Sequence, residues 1–185
     1  MSSVLGKRGL VAHPDSDGGE FSLATKLTRF GVDVLKCEFI LLGPLDQLVL
    51  PDIDLPQRED ELWKTTCFEL FLKYPESTAY REWNFAPTGK YASYWFEDYR
   101  SGMMPMLYDR MDIWPERTGN VRYRLNAYIQ CSDIPTLLEG QVGLSTILEH
   151  RDGSKSYWAV SHPEGKPDFH HSDCFGTNLG APSRA

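Results

Sequence analysis

Residues 61–71 read ELWKTTCFELF, and their alternation decides how the chain is to be read. In an extended strand successive side chains point to opposite faces, so Thr66, Phe68, Leu70 and Leu72 fall on one side and Thr65, Cys67, Glu69 and Phe71 on the other. The first face is core-like. The second carries a glutamate within an apolar run, and a carboxylate placed there needs solvent, a cationic partner or a ligand.

The same period-two pattern recurs outward from this segment. It predicts strands over 21–30, 32–42, 45–50, 65–74, 80–85, 91–96, 121–130, 141–149, 156–162 and 174–179. In VRYRLNAYIQ (121–130), Val121, Tyr123, Leu125, Ala127 and Ile129 form an apolar face, opposite Arg122, Arg124, Asn126, Tyr128 and Gln130. Ala86-Pro87-Thr88-Gly89-Lys90 and Arg151-Asp152-Gly153-Ser154 have hairpin-turn chemistry, which makes the strands they join antiparallel. A helical turn is expected only over 132–138. About ten short strands without a long helix predict an all-β fold, an antiparallel jelly-roll β-sandwich.

At 185 residues the chain is expected to form a single domain spanning 1–185, with its core at about 10–180. A net charge of −7 with scattered Lys and Arg argues against a phosphate-tracking surface, so nucleic acid is not an expected partner. No apolar run approaches the roughly 18 residues of a membrane span. MSSVLGKRGLVAHPDSDGGE at the N-terminus lacks the apolar stretch of a signal peptide, and a cytoplasmic location is expected. Cysteines 37, 67, 131 and 174 have neither CxxC nor zinc-finger spacing and are expected to be buried thiols.

The sequence contains no GxSxG, P-loop, HExxH or GxGxxG pattern. His170 and His171 are adjacent, and neighbours on an extended segment point apart, which disfavours one shared metal ion. Trp63, Tyr80, Trp83, Tyr91, Tyr94, Trp95, Tyr99, Trp114, Tyr128, Tyr157 and Trp158 are more aromatics than a small core holds. One or two projecting beside Arg, Glu and Asn would form a groove in which flat rings stack on apolar sugar faces and polar groups bind hydroxyls.

LWKTTCFELFL (62–72), YREWNFAPTGKYASYWFEDYRSGM (80–103) and HPEGKPDFHHSDCF (162–175) resemble, in that order, the bacterial DOMON-like domain proteins of the family 9 carbohydrate-binding-module type. The resemblance covers roughly residues 10–180. It implies a jelly-roll β-sandwich with one concave sheet face. Family 9 modules hold a sugar between two aromatic side chains, with a carboxylate six residues after the first, and Trp63 and Glu69 reproduce that spacing. The second aromatic precedes the last strand, where this chain offers Phe169, His170, His171 and Phe175 and no tryptophan. Trp83, Asn84 and Arg100 fall in the second block, and Asp168 opens the loop 168–171.

The resulting expectation is non-catalytic binding of a saccharide or sugar-like small molecule by Trp63, Glu69, Trp83, Asn84, Arg100, Asp168, Phe169, His170 and His171, with no cofactor and no assigned oligomeric state. Two alternatives stand beside it. The wider superfamily includes haem-binding domains, for which a methionine from 103–106 and His162, His170 or His171 would be the axial pair. A small enzyme would use Glu69 with His170 or His171 as acid and base. The sugar-binding relatives also carry structural calcium, for which Asp52, Asp54, Glu59, Asp60 and Glu61 are the available oxygen ligands.

Overall fold

A computed structural model describes residues 2–176. In chain order the strands are β1 (Ser2–Ala12), β2 (Ser22–Phe30), β3 (Val34–Leu42), β4 (Cys67–Lys73), β5 (Tyr80–Phe85), β6 (Tyr91–Phe96), β7 (Met104–Pro105), β8 (Arg110–Thr118) and β9 (Arg122–Gln130). After the single-turn helix α1 (Ile134–Leu137) come β10 (Gln141–Glu149), β11 (Lys155–Ala159) and β12 (Phe175–Gly176). All pair antiparallel in one curled sheet of order β7-β6-β5-β4-β10-β11-β1-β2-β3-β9-β8, with β12 added beside β10. The expected antiparallel β-sandwich is the observed fold. Among the described residues no helix is long and apolar enough to cross a membrane.

Strand β1 is the seam between the two layers. Ser2 to Leu10 run along β2, while Val11 and Ala12 pair with Ala159 and Trp158 of β11. The core lies between the layers, where Phe39 of β3 meets Phe68 of β4 with ring centroids 5.3 Å apart, and Phe68 stacks on Tyr123 of β9 at 5.8 Å. Phe68, Leu70 and Leu72 of β4 are in this core, as the alternation requires. Each such side chain stabilises the fold by about 1.5–3 kcal/mol through removal of apolar surface from water.

The outward face of the β4 layer is also covered. Cys67, Phe71, Tyr80, Tyr94, Phe96, Ile147 and Ala159 form a second apolar cluster with Leu62, Phe169, Cys174 and Phe175, so the segment 160–176 lies over the sheet. This second layer explains why β4 is buried on both faces from Cys67 to Leu72. All four cysteines are free and buried.

Several predicted elements differ. Residues 45–50 form a 3₁₀ turn over Leu45–Gln47, not a strand; Leu45 and Leu48, three apart, are both buried, which is a helical spacing. β1 escapes periodicity because Gly6, Lys7, Arg8 and Gly9 obscure it and Leu10 is its one fully buried residue. β8 contains Pro115, which the ladder tolerates because β8 is the edge strand of its layer. Val121 precedes β9 and is 64% exposed, so it does not join the apolar face of that strand. The predicted strand at 156–162 is Lys155–Ala159, and the last one is Phe175–Gly176, with 177–179 outside the described residues. Both predicted hairpins and the turn at 132–138 are present.

Candidate functional site

The outward face of β4 and β5 carries the chemistry. In register, Glu69 lies opposite Ser145 of β10 on one side and Asn84 of β5 on the other, and Glu82 lies opposite Phe71. Glu69 and Glu82 are therefore diagonal cross-strand neighbours. They floor a cavity of about 320 Å³ whose walls are Trp63, Phe96, Met103, Ile147, Tyr157, Pro167 and Phe169, with Arg100 and His170 on its margin. Glu69 is 3% exposed and Glu82 4%.

Each carboxylate has one firm protein donor. Ser145 Oγ donates to Glu69 Oε2 at 2.8 Å, and Asn84 Nδ2 donates to Glu82 Oε1 at 2.7 Å. The other oxygen of Glu82 is 3.8 Å from His170 Nε2. The Arg100 backbone N–H donates to Tyr80 Oη at 3.3 Å, and Tyr80 Oη and His170 Nδ1 share a hydrogen bond at 2.7 Å. Burial first, then the positive charge of Arg100, lowers His170 to about 4, and the ring is neutral at physiological pH.

Burial, then the charge of Glu82, pushes Glu69 up to about 8, with the Ser145 hydroxyl pulling the other way. Burial pushes Glu82 up to about 7, against the Asn84 hydrogen bond and Arg100. These values describe the pair more than either residue. A carboxyl whose folded pKa is raised stabilises the fold fully below its unfolded value, and the contribution is lost as pH rises through the folded value. His170, whose pKa is lowered, has the opposite sign and stops changing above about 6.5, the ordinary histidine value. From there to about pH 8 the loss belongs to the carboxylates. Unfolding midpoints in denaturant are therefore expected to fall across that window, and Glu69→Gln is expected to flatten the fall; an unchanged slope in the variant would contradict the assignment.

Arg100 is held rather than free. Its Nη2 and Nε donate to one oxygen of Asp168 at 2.7 and 3.2 Å, and the other oxygen of Asp168 accepts from Tyr99 Oη. Its backbone has a left-handed φ of 50°, a conformation costing on the order of 1 kcal/mol in a residue with a Cβ. The Asp98–Ser101 turn and the Tyr80 hydroxyl fix it there.

Of the residues singled out from sequence, Trp63, Glu69, Arg100, Phe169 and His170 line the cavity. Asn84 lies behind it as a fully buried donor to Glu82, and Asp168 acts by anchoring Arg100. Trp83 is a correction. It is 0% exposed, on the core face of β5, with Nε1 donating to Asp109 Oδ2 at 3.0 Å. Adjacent strand residues cannot share a face, so Asn84 outward requires Trp83 inward. His171 is a second correction: it lies outside the cavity, flanks a separate depression with Tyr99 and Asp98, and accepts the Asp173 N–H at 3.3 Å as the cap of a 3₁₀ turn. Glu82, Tyr157, Phe96, Ile147 and Met103 were not singled out. Alternation in EWNF marks Glu82, two residues before Asn84, while the others reach the cavity only through tertiary packing.

Most of the residues named for a haem iron or a calcium ion are engaged with other partners. His170 has Nδ1 on Tyr80 and Nε2 facing Glu82, His162 Nε2 bonds the Val11 carbonyl at 2.9 Å beside His13, and His171 Nδ1 accepts the Asp173 N–H at 3.3 Å. In the acidic loop Asp60 is taken by Arg58 and Tyr94, both at 2.6 Å, Glu59 by Lys90 at 2.7 Å and Glu61 by Lys64 at 2.6 Å. Among the described residues no three His, Cys, Asp or Glu side chains converge as a metal cage.

No protein-family model matches the sequence, and no curated protein is significantly similar to it. The solved structure of a Bacteroides uniformis protein provisionally named as carbohydrate-binding superposes with a TM-score of 0.62 at 10% identity, over 92% of this chain and 84% of that one. A family 9 carbohydrate-binding module from Caldicellulosiruptor kristjanssonii in complex with glucose aligns at a TM-score of 0.46 and 13% identity, over 81% and 72% of the two chains. A module of the same family and organism in complex with cellotriose aligns at 0.44 and 14%, over 81% and 70%. The first of these likenesses shows a shared β-sandwich fold.

Proposed function

We propose that the cavity over Glu69 and Glu82 binds a saccharide without transforming it. The observation that carries this reading is the placement of two buried, incompletely bonded carboxylates on the floor of an aromatic-walled cavity. Ring faces suit the apolar faces of a pyranose, and carboxylate oxygens accept from its hydroxyls. A cavity of about 320 Å³ is at the small end for ligand sites, which suits a monosaccharide or the end of a chain better than a polymer lying along the surface. The provisional carbohydrate-binding name of the Bacteroides uniformis protein that shares this fold agrees with the reading.

In this account Trp63 supplies stacking and Glu69 supplies orientation. A ligand hydroxyl left unpaired in a buried site costs about 1–3 kcal/mol, so Glu69→Ala is expected to weaken binding roughly 10- to 100-fold. Trp63→Ala should weaken it by a similar factor. Calorimetric titration of both variants checks this, and full affinity in both would remove the assignment.

The same carboxylates favour one second reading, acid and base work on a hydroxylated metabolite, because groups poised near neutrality suit proton transfer. In it the partner of His170 is Glu82 rather than Glu69.

A further inference from the structure

The charge of the cavity narrows the class of saccharide, an inference that rests on the saccharide reading above. Among the described residues lining the cavity, Arg100 is the one permanent cation, and both its bonds to Asp168 fall on a single carboxylate oxygen, at 2.7 and 3.2 Å. Asp168 takes up most of that charge, and what remains offsets the floor carboxylates only in part. His170, whose ring is neutral at this pH, lies 3.8 Å from Glu82 and adds no charge. Glu69 and Glu82 are thus two buried carboxyls facing the cavity without a cation of their own. Glu69 Oε2 takes the Ser145 hydroxyl, and Oε1 has no nitrogen or oxygen donor among the described residues.

Two buried carboxyls this close, with Arg100 only partly offsetting them, keep a proton rather than carry both charges when the ligand is neutral, and they can ionise fully only against a further positive charge. A cation resolves this. The walls agree: Trp63, Phe96, Tyr157 and Phe169 surround the floor with aromatic rings, whose faces attract a positive charge and whose bodies exclude water. A simple ammonium ion would satisfy the floor and leave the walls empty, whereas an amino sugar occupies both. We propose that the preferred ligand is a saccharide bearing a protonated amine, its ammonium group seated between Glu69 and Glu82 and its ring against Trp63.

Calorimetric titration of the full chain near neutral pH with glucosamine, galactosamine and mannosamine, each paired with its neutral parent sugar and its N-acetyl derivative, tests this. At least one amino sugar is expected to bind roughly tenfold or more tightly than both its partners, and Glu82→Gln is expected to cut that preference to within about threefold. The preference should also shrink on acidification, as the carboxyl pair takes up protons. Equal affinity within every set would overturn the ammonium assignment while leaving the saccharide reading in place. Binding of no member of any set would overturn both.

Discussion

Asp109→Ala is expected to destabilise the fold by about 3–5 kcal/mol, read as a lower denaturant midpoint at unchanged slope. Arg81 is the reason. It projects from the inward face of β5 and is fully buried, with Nη2 donating to Asp109 and Nη1 to Asp133 at 3.1 Å. Its guanidinium lies 5.0 Å from the ring of Trp83, whose indole N–H also donates to Asp109. Asp109 precedes β8 and Asp133 follows β9, so one buried arginine ties together the connections that run between the layers.

Removing Asp109 leaves the guanidinium with Asp133, a side chain 39% exposed, and the weak acceptor Cys131 Sγ at 3.5 Å, and leaves the indole N–H without an acceptor. A buried charge without its partner is far costlier than the intact pair is favourable. The double variant Arg81→Met with Asp109→Leu is therefore expected to lie nearer the parent than either single change, because it removes both charges together. Additive losses in the double variant would show that the cluster is not a buried ion pair in solution.

The second large effect separates the two tryptophans that flank this region in sequence. Trp83→Ala is expected to cost about 3–5 kcal/mol, since it empties a site in the core and strips a donor from Asp109. Saccharide affinity of the molecules that remain folded should be unaltered. Trp63 sits on the 3₁₀ turn Leu62–Lys64, edge-on to Tyr94 at 5.8 Å and partly buried, so Trp63→Ala is expected to cost far less stability while binding weakens roughly 10- to 100-fold. Chemical denaturation and calorimetric titration on the two variants give the pattern directly. A Trp83 variant of full stability, or a Trp63 variant of full affinity, would contradict the placement.

These two tryptophans also show what the sequence made legible. The period of two in CFELFLK exposed both faces of β4, so the fold class follows from spacing, which also set Glu69 apart on the face opposite the core; its proposed role came from the family resemblance. Choosing Trp83 as well as Asn84 broke the same rule, because neighbours on one strand face apart. Obeying it would have picked Glu82. The rest of the site is assembled by contacts that no local pattern encodes: Asp168 reaches Arg100 across 68 residues, and His170 reaches Tyr80 across 90. The depth of β4 was equally hidden, since the segment that covers its outer face lies near the end of the chain and reads as a histidine-rich loop. β1 and β8 were missed for local reasons, glycine and charge in one and an edge proline in the other.

The central claim is that a saccharide enters the cavity beside Trp63, and the indole N–H signals of the five tryptophans test it most directly. In a proton–nitrogen correlation spectrum of the full chain, assigned through Trp63→Phe and Trp83→Phe, addition of neutral and amino monosaccharides is expected to move the Trp63 signal saturably and leave that of Trp83 in place. A Trp63 signal unmoved by every sugar, or a saturable shift confined to another tryptophan, would contradict the account.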